Sequence, residues 1–458
     1  MNEMVNRYFE TLKGKRVAVL GIGVSNRPLI RMLLERGIFV TACDKTEREK
    51  LDAEVLELEA AGAELRVGAG YLDGLTADVV FRTPGMHTNI PALQNLREQG
   101  AIITSEMEAF FTVCPCPILA VTGSDGKTTT TTLIAEILKK AGKTVWIGGN
   151  IGQPLLPEAE NMGHEDLAVV ELSSFQLMSM TQSPHVAVIT NLAPNHLDVH
   201  KDMDEYIGAK ENLYLHQTAA DLVVLNADNA ITASFASKAK GRTVFFSRQS
   251  VQPNGAWFDG ETVFYKGEVV MKRSDILIPG LHNVENYMAA LCAVEEYAEP
   301  DHVRQVAKTF GGVEHRIELV RERNGVRWYN DSIASSPTRT IAGLRSFDRK
   351  VILIAGGYDK RIPFDVLGPE ITAHVKRLIL CGATADKIRQ AVLNAPDYRE
   401  GDPDIVTVNT LQQAVQDAAD HAVAGDIVTL SPACAAFDQF KNFMARGKAF
   451  KELVHGLK

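Results

Sequence analysis

The sequence predicts an α/β protein of three domains, each built around a largely parallel sheet. Three short apolar runs, at Arg16–Leu20, Ile118–Val121 and Val351–Ile354, each lead into a loop that contains glycine and then into a polar, helix-compatible stretch. Strands that alternate with helices in this way are typical of parallel sheets. The length of 458 residues agrees with about three domains of ordinary size.

The composition is that of a soluble globular protein. The hydrophobic fraction is 45% and the charged fraction 23%, both ordinary for that class. A net charge of −9 argues against an extended nucleic-acid surface, which needs clustered Lys and Arg. No apolar run is long enough to span a membrane, and the N-terminus lacks the apolar core of a signal peptide. We therefore expect a cytoplasmic protein without nucleic-acid or membrane partners.

Strand-like runs also set the expected domain boundaries. The first domain, 1–108, contains VAVLGIG, TACD and VVFRTPG, and the second, 109–312, opens with PILAVTGSDGKT. The third, 313–458, contains GVRWYNDS, VILIAGG, RLILCG and DIVTLSPA. Aromatic and β-branched residues around two polar turns predict a hairpin at Pro253–Gly267. The six cysteines are scattered except for Cys114 and Cys116, so we expect reduced thiols that bind no metal.

The first glycine loop resembles part of a dinucleotide-binding fingerprint. Gly21 and Gly23 follow a predicted strand, and Asp44 ends the next strand, close to the expected spacing. Asn26 stands where the third glycine is usual. A helix N-terminus after such a loop favours a pyrophosphate ligand. The alternative is a tight strand-to-helix turn that binds nothing.

The segment Thr122–Thr128, TGSDGKT, is the strongest local signal. A buried-type strand precedes it and a helix-compatible stretch follows, which is the context of a phosphate loop. Its glycines let backbone N–H groups turn toward anionic oxygens, Lys127 would contact phosphate, and the Thr128 hydroxyl would contact Mg²⁺. The general pattern asks for a further glycine at the position of Val121.

Other segments resemble the Mur ligases. They are GGNI at 148–151, ELSSFQL at 171–177, NHLD at 195–198, GLHNVEN at 280–286 and LSPACAAFDQFKNF at 430–443. With TGSDGKT and the first glycine loop, the resemblance covers nearly the whole chain in order. It implies an N-terminal Rossmann-like domain that binds UDP, a central P-loop-type ATPase domain with a mainly parallel sheet, and a C-terminal Rossmann-like domain that binds an amino acid.

The resemblance implies a two-step ligation in the cytoplasmic stage of peptidoglycan synthesis. ATP would phosphorylate the alanyl carboxylate of UDP-N-acetylmuramoyl-L-alanine, and the amine of D-glutamate would then displace phosphate. D-glutamate is favoured because LSPACAAFDQFKNF resembles the members that add it. Phosphoryl transfer of this kind depends on positioning and charge neutralisation, which calls for Mg²⁺, and the resemblance implies two Mg²⁺ ions. We expect a monomer.

Four side chains are expected to be catalytic from the resemblance: Lys127, Glu171, His196 and Lys210. The expected Mg²⁺ ligands are Thr128, Glu171, His196 and Lys210, the last as a carbamate. Without the resemblance, Glu171 would be interpreted as an ordinary strand-end carboxylate and His196 as a structural hydrogen-bonding group. Lys210 would then be a solvated helix lysine.

The resemblance also assigns ligand contacts. Those to ATP are Gly123, Ser124, Asp125, Gly126, Lys127, Thr128, Thr129, Asn283, Asn286, Arg316 and Asp331. Those to the UDP substrate are Val24, Ser25, Asp44, Lys45, Thr83, Pro84, Gly85, Asn150 and His196. Those to the acceptor amino acid are Ser335, Ser336, Lys360, Ala436, Phe437 and Phe443. The alternatives are helix capping for the two asparagines and a salt bridge for Arg316 and Asp331.

The expected acceptor pocket departs from the family pattern at two positions. Ile333 stands where a lysine is usual, and Ala436 where a serine is usual. We expect Lys360, neighbouring serines and backbone N–H groups near Phe437 to bind the two carboxylates, because FDQFKNF suggests a helix start there. The alternative is that Ile333 and Ala436 lie outside the contact shell.

Other functional classes explain less of the chain. An NAD-dependent dehydrogenase would use Gly21, Gly23 and Asp44 but would leave the phosphate loop unexplained. A P-loop GTPase or kinase would lack the glycine-containing first domain. A folylpolyglutamate synthetase shares the chemistry but typically begins near its phosphate loop. A non-enzymatic nucleotide sensor would not need Lys210 and His196.

Overall fold

Three sheets form the framework of the chain, as the sequence predicts. The computed structural model describes residues 3–194 and 199–457, so His196 lies outside the described residues. By internal packing the chain divides into two compact units. The first comprises Met1–Arg273 and Glu285–Val306, and the second comprises Ser274–Val284 and Ala307–Lys458.

The first sheet has five parallel strands. The strands are β1 (Val17–Leu20), β2 (Val40–Asp44), β3 (Glu64–Val67), β4 (Val79–Arg82) and β5 (Ile102–Thr104). The accompanying helices are α1 (Glu3–Glu10), α2 (Asn26–Glu35), α3 (Ala53–Ala60), α4 (Pro91–Glu98) and α5 (Glu106–Val113). The order is β3-β2-β1-β4-β5. The loops that follow β1, β2 and β4 therefore leave the sheet at one edge.

The second sheet has nine strands. They are β6 (Ile118–Thr122), β7 (Val145–Gly149), β8 (Leu167–Glu171), β9 (Val186–Ile189), β10 (Leu222–Asn226), β11 (Arg242–Ser247), β12 (Ala256–Phe258), β13 (Thr262–Tyr265) and β14 (Glu268–Lys272). The helices after β6 are α6 (Lys127–Lys140), α7 (Ser174–Leu177), α8 (Met203–Glu211) and α9 (Ala230–Ser234). Two further helices, α10 (Leu281–Ala293) and α11 (Pro300–Ala307), follow the sheet in the chain.

Strand order in the second sheet brings the phosphate loop next to Glu171. The order is β14-β13-β12-β11-β10-β9-β6-β8-β7, parallel except where β12, β13 and β14 pair as hairpins, which confirms the predicted hairpin. β6, β8, β9 and β10 are buried along their whole lengths, as expected for apolar strands covered on both faces. In the register of β6 with β8, Val121 is opposite Glu171.

The third sheet has six strands. They are β15 (Glu318–Arg323), β16 (Val326–Asn330), β17 (Val351–Ala355), β18 (Val375–Cys381), β19 (Asp404–Val408) and β20 (Ile427–Leu430). The helices are α12 (Pro337–Leu344), α13 (Leu367–His374), α14 (Ala385–Leu393), α15 (Leu411–His421) and α16 (Phe443–Gly456). The order is β15-β16-β20-β17-β18-β19, with only β15 antiparallel to its neighbour. The loops after β16, β20 and β17 share one edge.

The expected helix start near Phe437 is wrong. Helix α16 begins at Phe443, where the Asn442 side chain accepts a hydrogen bond from the N–H of Ala445. Asparagine is among the strongest N-cap residues, which explains why the helix begins there. Near Phe437 the chain forms a turn instead, in which the N–H of Phe440 donates to the carbonyl of Ala436 at 2.8 Å.

The helices of the described chain are short. Helices α6 and α16 have 14 residues each. Within residues 3–194 and 199–457, no helix combines the length and the apolar character needed to cross a bilayer.

A buried carboxylate, Glu106, connects helix α5 to the segment that follows β7. It accepts a hydrogen bond from the N–H of Leu156 at 2.9 Å. Burial raises the pKa of Glu106 to about 7, against the opposing effect of the backbone hydrogen bonds. Folding therefore favours the protonated form of this carboxyl group.

This raised pKa predicts a specific pH dependence of stability. The contribution of Glu106 to the free energy of unfolding is fully present below its unfolded-state pKa and is lost as pH rises through its folded-state pKa. The free energy of unfolding of the wild type should therefore fall over roughly pH 4.5 to 7. Glu106→Gln removes this titration. From the lower to the upper end of that window, the free energy of unfolding of the variant should rise by roughly 3 kcal/mol relative to that of the wild type. Urea unfolding of both proteins at the two ends of the window measures the difference.

Glu98→Gln, at an exposed position on helix α4, is the matched control and should leave the pH dependence of wild type unchanged. A constant difference between Glu106→Gln and wild type at both pH values would contradict the assignment.

Candidate active site

The phosphate loop requires glycine at two positions. Gly123 and Gly126 have φ angles of 152° and 78°, in the region that only glycine enters readily. A Cβ on Gly123 would overlap the Thr190 hydroxyl, and one on Gly126 would overlap the Asn286 side chain. The loop therefore presents bare backbone at the N-terminus of α6, the arrangement that binds phosphate.

The chain after β9 holds this loop in shape. Thr190 Oγ1 donates to the carbonyl of Asp125 at 2.6 Å. Asn191 Oδ1 accepts from the N–H of Asp125 at 2.9 Å, and the Asn191 carbonyl accepts from the N–H of Ser124 at 2.9 Å. Lys127 Nζ donates to the carbonyls of Gly123 and Ser124 at 3.0 and 2.9 Å, which keeps its charge over the loop.

Glu171 lies beside the loop with both carboxylate oxygens engaged. It is buried at the end of β8. Oε2 accepts from Thr128 Oγ1 at 2.7 Å, and Oε1 accepts from Asn150 Nδ2 at 2.8 Å. A carboxylate next to a hydroxyl offers the hard oxygen ligands that Mg²⁺ prefers. The structure thus brings together three of the predicted site residues from three separate segments.

Lys210 is not a solvated helix lysine, the interpretation that its sequence context alone would give. Its side chain on α8 is 1% exposed. Nζ donates to Thr122 Oγ1 at 2.9 Å and to the Gly123 carbonyl at 3.0 Å. Burial, followed by repulsion from Lys127, holds the pKa of the Lys210 amine well below its usual value, although Glu171 opposes the shift. A buried amine that loses its proton so readily is a nucleophile.

Clusters of the ordinary metal-binding side chains do not occur in the described ranges. Within residues 3–194 and 199–457, no group of three or more His, Cys, Asp and Glu side chains is arranged to hold a metal ion. The Thr128 hydroxyl beside Glu171 is a further oxygen atom at this point.

His200 is buried and has a structural role. Its Nε2 lies 2.8 Å from Ser174 Oγ, and its Nδ1 lies 3.4 Å from a Glu205 carboxylate oxygen. The ring stacks on Phe175, with centroids 5.2 Å apart, and meets the Tyr206 ring edge-on. His200 thereby connects helix α7, which begins just after Glu171, with helix α8, which carries Lys210.

The predicted UDP-binding residues of the first domain gather at one sheet edge. A Cβ on Gly21 would lie 2.7 Å from Thr83 Cγ2, so the loop after β1 approaches the end of β4 closely. Val24 in that loop is 75% exposed. Asp44 accepts from the N–H groups of Ile22 and Thr46 at 2.8 and 2.9 Å. Burial would raise the pKa of Asp44, but these hydrogen bonds lower it below its usual value.

Asn26, at the position of the missing third glycine, has a structural role. It is buried at the start of α2, and its Nδ2 donates to the carbonyl of Gly21 at 2.8 Å. The side chain thus fastens the helix to the loop. Ser25 precedes it, and Lys45 lies exposed after β2.

Arg82 is a residue of this region that the sequence analysis missed. It ends β4 and is 1% exposed. Its guanidinium donates to the carbonyls of Pro84 and Met86 at 3.2 and 3.0 Å, and to the Phe175 carbonyl and Ser179 hydroxyl at 2.9 and 2.8 Å. It therefore ties the Thr83–Gly85 loop to helix α7. The available signal was a single charge in an otherwise apolar strand.

Asp331 is a buried carboxylate of the second compact unit. Its Oδ2 accepts from Ser431 Oγ at 2.7 Å, and its Oδ1 accepts from the N–H of Ile317 at 3.3 Å. Burial raises the pKa of Asp331 to about 7, and Arg316 is among the groups that oppose this shift. On helix α10, Asn283 Nδ2 donates to the Pro279 carbonyl at 2.6 Å, which fixes the turn before the helix.

The predicted acceptor residues lie on the three loops at the shared edge of the third sheet. Ser335 and Ser336 precede α12, and Lys360 lies exposed after β17. Phe437 is exposed on the loop after β20, whereas the Ala436 side chain is buried. Phe443 begins α16, and its carbonyl accepts from Ser332 Oγ at 2.8 Å.

Arg446 organises two of these loops and was also missed. It is buried on α16 and donates to the Ser332 hydroxyl and carbonyl at 3.0 and 2.9 Å. It also donates to the carbonyls of Cys434 and Ala435 at 2.9 and 3.1 Å. Burial lowers the pKa of Arg446 to about 10. Nothing in its local sequence distinguishes it from a surface helix arginine.

Comparison with protein families finds two matching models, which together cover most of the chain after residue 120. The model described as Mur ligase middle domain matches residues 121–294, which contain the phosphate loop, Glu171 and Lys210. The model described as Mur ligase, glutamate ligase domain matches residues 315–434.

Similar chains extend over the full length. The UDP-N-acetylmuramoylalanine–D-glutamate ligase of Acetivibrio thermocellus is 54% identical over 465 aligned residues, covering 100% of both chains. The enzyme of the same name from Clostridium novyi is 50% identical over 458 residues, again with 100% of both chains covered.

Solved structures with this fold are more distant in sequence. The UDP-N-acetylmuramate–alanine ligase of Thermotoga maritima matches with a TM-score of 0.58 at 18% identity, covering 97% of this chain and 100% of that one. A UDP-N-acetylmuramoyl-L-alanyl-D-glutamate–2,6-diaminopimelate ligase matches with a TM-score of 0.57 at 17% identity, covering 97% and 94%. At these identities the likeness establishes the fold alone.

Proposed function

This chain belongs to the Mur ligase family, and we propose that it joins D-glutamate to UDP-N-acetylmuramoyl-L-alanine in the cytoplasm while ATP is cleaved to ADP and phosphate. The observation that carries the proposal is the 54% identity over the full length with a ligase named for this reaction. The arrangement of Lys127, Glu171 and Lys210 around one loop supports it. Transfer of a phosphoryl group to a carboxylate brings two negatively charged groups together, and their charge must be neutralised where they react.

In the first step, the loop Gly123–Thr129 would bind the phosphates of ATP. Its backbone N–H groups and the N-terminus of α6 favour anionic oxygens, and Lys127 adds a full positive charge. In the structure the Lys127 ammonium is held by two loop carbonyls, so it is already positioned over the loop. The alanyl carboxylate attacks the terminal phosphorus, the bond to ADP breaks, and an acyl phosphate forms.

Thr128 and Glu171 fit a bound Mg²⁺ ion. Their side-chain oxygens are 2.7 Å apart and belong to the hydroxyl and carboxylate classes that Mg²⁺ accepts. When bound, Mg²⁺ supplies charge neutralisation for the phosphate oxygens. Asn150 holds the other Glu171 oxygen, which orients the carboxylate. His196 remains a predicted ligand.

Lys210 is proposed to act as a carbamate. As a neutral amine it can use its two N–H bonds for the two acceptors it contacts, which leaves its lone pair free to attack carbon dioxide. The new N–C bond forms with release of one proton and yields an anionic oxygen group. A carbamate attracts a cation, whereas the protonated form of the Lys210 amine would repel it.

The UDP-substrate contacts are proposed for the strand-end loops of the first sheet and for Asn150. They are Val24, Ser25, Asp44, Lys45, Thr83, Pro84 and Gly85. Arg82 would act as a positioning residue, because it fixes the loop after β4 to helix α7. Asn283, Asn286, Arg316 and Asp331 remain predicted ATP contacts, and the proximity of Asn286 to Gly126 supports one of them.

In the second step, the D-glutamate amine attacks the acyl carbon and expels phosphate. We assign the acceptor to the loops that carry Ser335, Ser336 and Lys360, together with Phe443 at the start of α16. Lys360 is exposed and supplies one cation for the carboxylates. Ala436 and Phe437 would offer backbone groups of a turn, since the Ala436 side chain is buried.

The acceptor assignment predicts a ranking of amino acids. With saturating ATP and UDP-N-acetylmuramoyl-L-alanine, D-glutamate should give the highest kcat/KM among D-glutamate, L-glutamate, D-aspartate, L-alanine and meso-diaminopimelate. One ADP should form for each amide bond. A higher kcat/KM for another amino acid would overturn the assignment of D-glutamate as the acceptor. Ligation without ADP formation would overturn the assignment of the reaction type.

The carbamate assignment predicts chemical rescue. Lys210→Ala should lose activity by about 100-fold or more, because an anionic ligand is removed. Short-chain carboxylic acids should restore part of it by placing an oxygen anion in the vacated space. Lys201→Ala, which removes an exposed lysine just before α8, is the matched control. It should retain activity, and the added acids should not change that activity. Full activity of Lys210→Ala without added acid would contradict the assignment.

A further inference from the structure

Two cysteines meet in the segment that joins the first and second sheets. Cys114 and Cys116 lie between α5 and β6, separated by Pro115, with their Sγ atoms 3.6 Å apart. Cys114 is partly exposed and Cys116 is 3% exposed. All six cysteines are free thiols, and the other four, at positions 43, 292, 381 and 434, are buried.

The surrounding chain holds the pair in this arrangement. Proline at 115 restricts the backbone between the two thiols. His164 Nδ1 lies 3.1 Å from the Pro115 carbonyl, and the N–H of Ile118 donates to His185 Nδ1 at 3.1 Å. The segment is thus held between the two thiols and just after them, and the two Sγ atoms must approach from 3.6 Å to about 2.05 Å to form a disulfide.

We propose that Cys114 and Cys116 form a reactive dithiol site that small-molecule disulfides oxidise reversibly to an intrachain disulfide. The partly exposed Cys114 is the attacking thiol and the buried Cys116 is the resolving thiol. No residue assigned to ATP, substrate or acceptor binding takes part, so the site is independent of the ligase chemistry.

The reaction balances as two thiol–disulfide exchanges. The Cys114 thiolate attacks one sulfur of the small disulfide, forms a mixed disulfide and expels the first thiolate. Cys116 then gives up its proton and attacks Cys114 Sγ, which expels the second thiolate. The two protein thiols are oxidised, the small disulfide is reduced to two thiols, and the protons released by the protein pass to these leaving groups.

Cys114, the proposed attacking thiol, is more acidic than Cys116, as the first step requires. The hydrogen bond with Cys116 lowers the pKa of Cys114, against the effect of burial. The same contact, followed by burial, raises the pKa of Cys116. Once Cys114 is in a mixed disulfide its negative charge is gone, so Cys116 ionises more easily. Burial raises the pKa of the other four thiols. Because the thiolate is the reactive form, these four cysteines serve as unreactive controls within the same chain.

The disulfide should be readily reduced again. A cross-link that closes a loop with one intervening residue removes little entropy from the unfolded chain and so gains little stability from it. Weakly stabilised disulfides are the labile ones.

The test uses the reduced full-length protein and oxidised glutathione. After acid quenching, free thiols are alkylated under denaturing conditions and peptides are mapped by mass spectrometry. In wild type, the peptide with Cys114 and Cys116 should lose the mass of two hydrogens, carry no glutathione and resist alkylation, while the other four cysteines are fully alkylated. Dithiothreitol should reverse the change.

Two variants separate the roles of the thiols. Cys116→Ser should accumulate a stable glutathione adduct on Cys114, because the resolving thiol is missing. Cys114→Ser should form neither an adduct nor a disulfide. Cys381→Ser, at a buried thiol elsewhere, should behave as wild type. In wild type itself, phenylarsine oxide, which binds paired thiols, should protect both cysteines from alkylation.

Three results would overturn the proposal. A stable glutathione adduct on wild-type Cys114 would mean that Cys116 does not resolve it. Absence of both disulfide and adduct in wild type and in Cys116→Ser would mean that Cys114 is unreactive. Equal oxidation of the four buried cysteines would mean that the pair is not selective.

Discussion

The burial of the Lys210 amine beneath the phosphate loop is the constraint on which the proposed active site depends. The amine contacts the loop backbone and shares its surroundings with Lys127 and Glu171. Two full positive charges and one negative charge in a buried space would disfavour both folding and cation binding. A neutral Lys210 relieves the repulsion, and a carbamate would reverse it. The glycine requirements at Gly123 and Gly126 have a different cause, because a Cβ at these positions would overlap Thr190 and Asn286 respectively.

The fold supplies the site through the ends of parallel strands. In open α/β sheets, ligands bind beyond the carboxyl ends of the strands. Here β6 ends in the phosphate loop, β8 ends in Glu171 and β9 leads into the loop support at Thr190. The first and third sheets repeat the pattern, with the predicted substrate residues after β1, β2 and β4 and the predicted acceptor residues after β16, β17 and β20. The UDP substrate, ATP and the acceptor amino acid are thus assigned to the carboxyl-end edges of the first, second and third sheets.

Much of the fold and part of the site follow from the sequence, because apolar runs and glycine loops are local signals. The strands of the phosphate-loop sheet and the hairpin near residue 260 are of this kind. Burial of Lys210 could not be predicted locally, since α8 has the polar composition of a surface helix and is buried only by packing. The start of α16 was misplaced because the chain forms a turn near Phe437, and the helix begins only after Asn442, whose side chain caps it. Arg82 and Arg446 act through carbonyls distant in sequence, for which no local pattern exists.

The central claim is that this strand edge transfers the terminal phosphoryl group of ATP to a carboxylate. The most direct measurement uses UDP-N-acetylmuramoyl-L-alanine labelled with a heavy oxygen isotope in the alanyl carboxylate. Through an acyl phosphate, one labelled oxygen must leave with phosphate, so the account predicts singly labelled inorganic phosphate in amounts equal to the amide formed. Unlabelled phosphate formed together with the amide, with the departing labelled oxygen recovered in water, would contradict it.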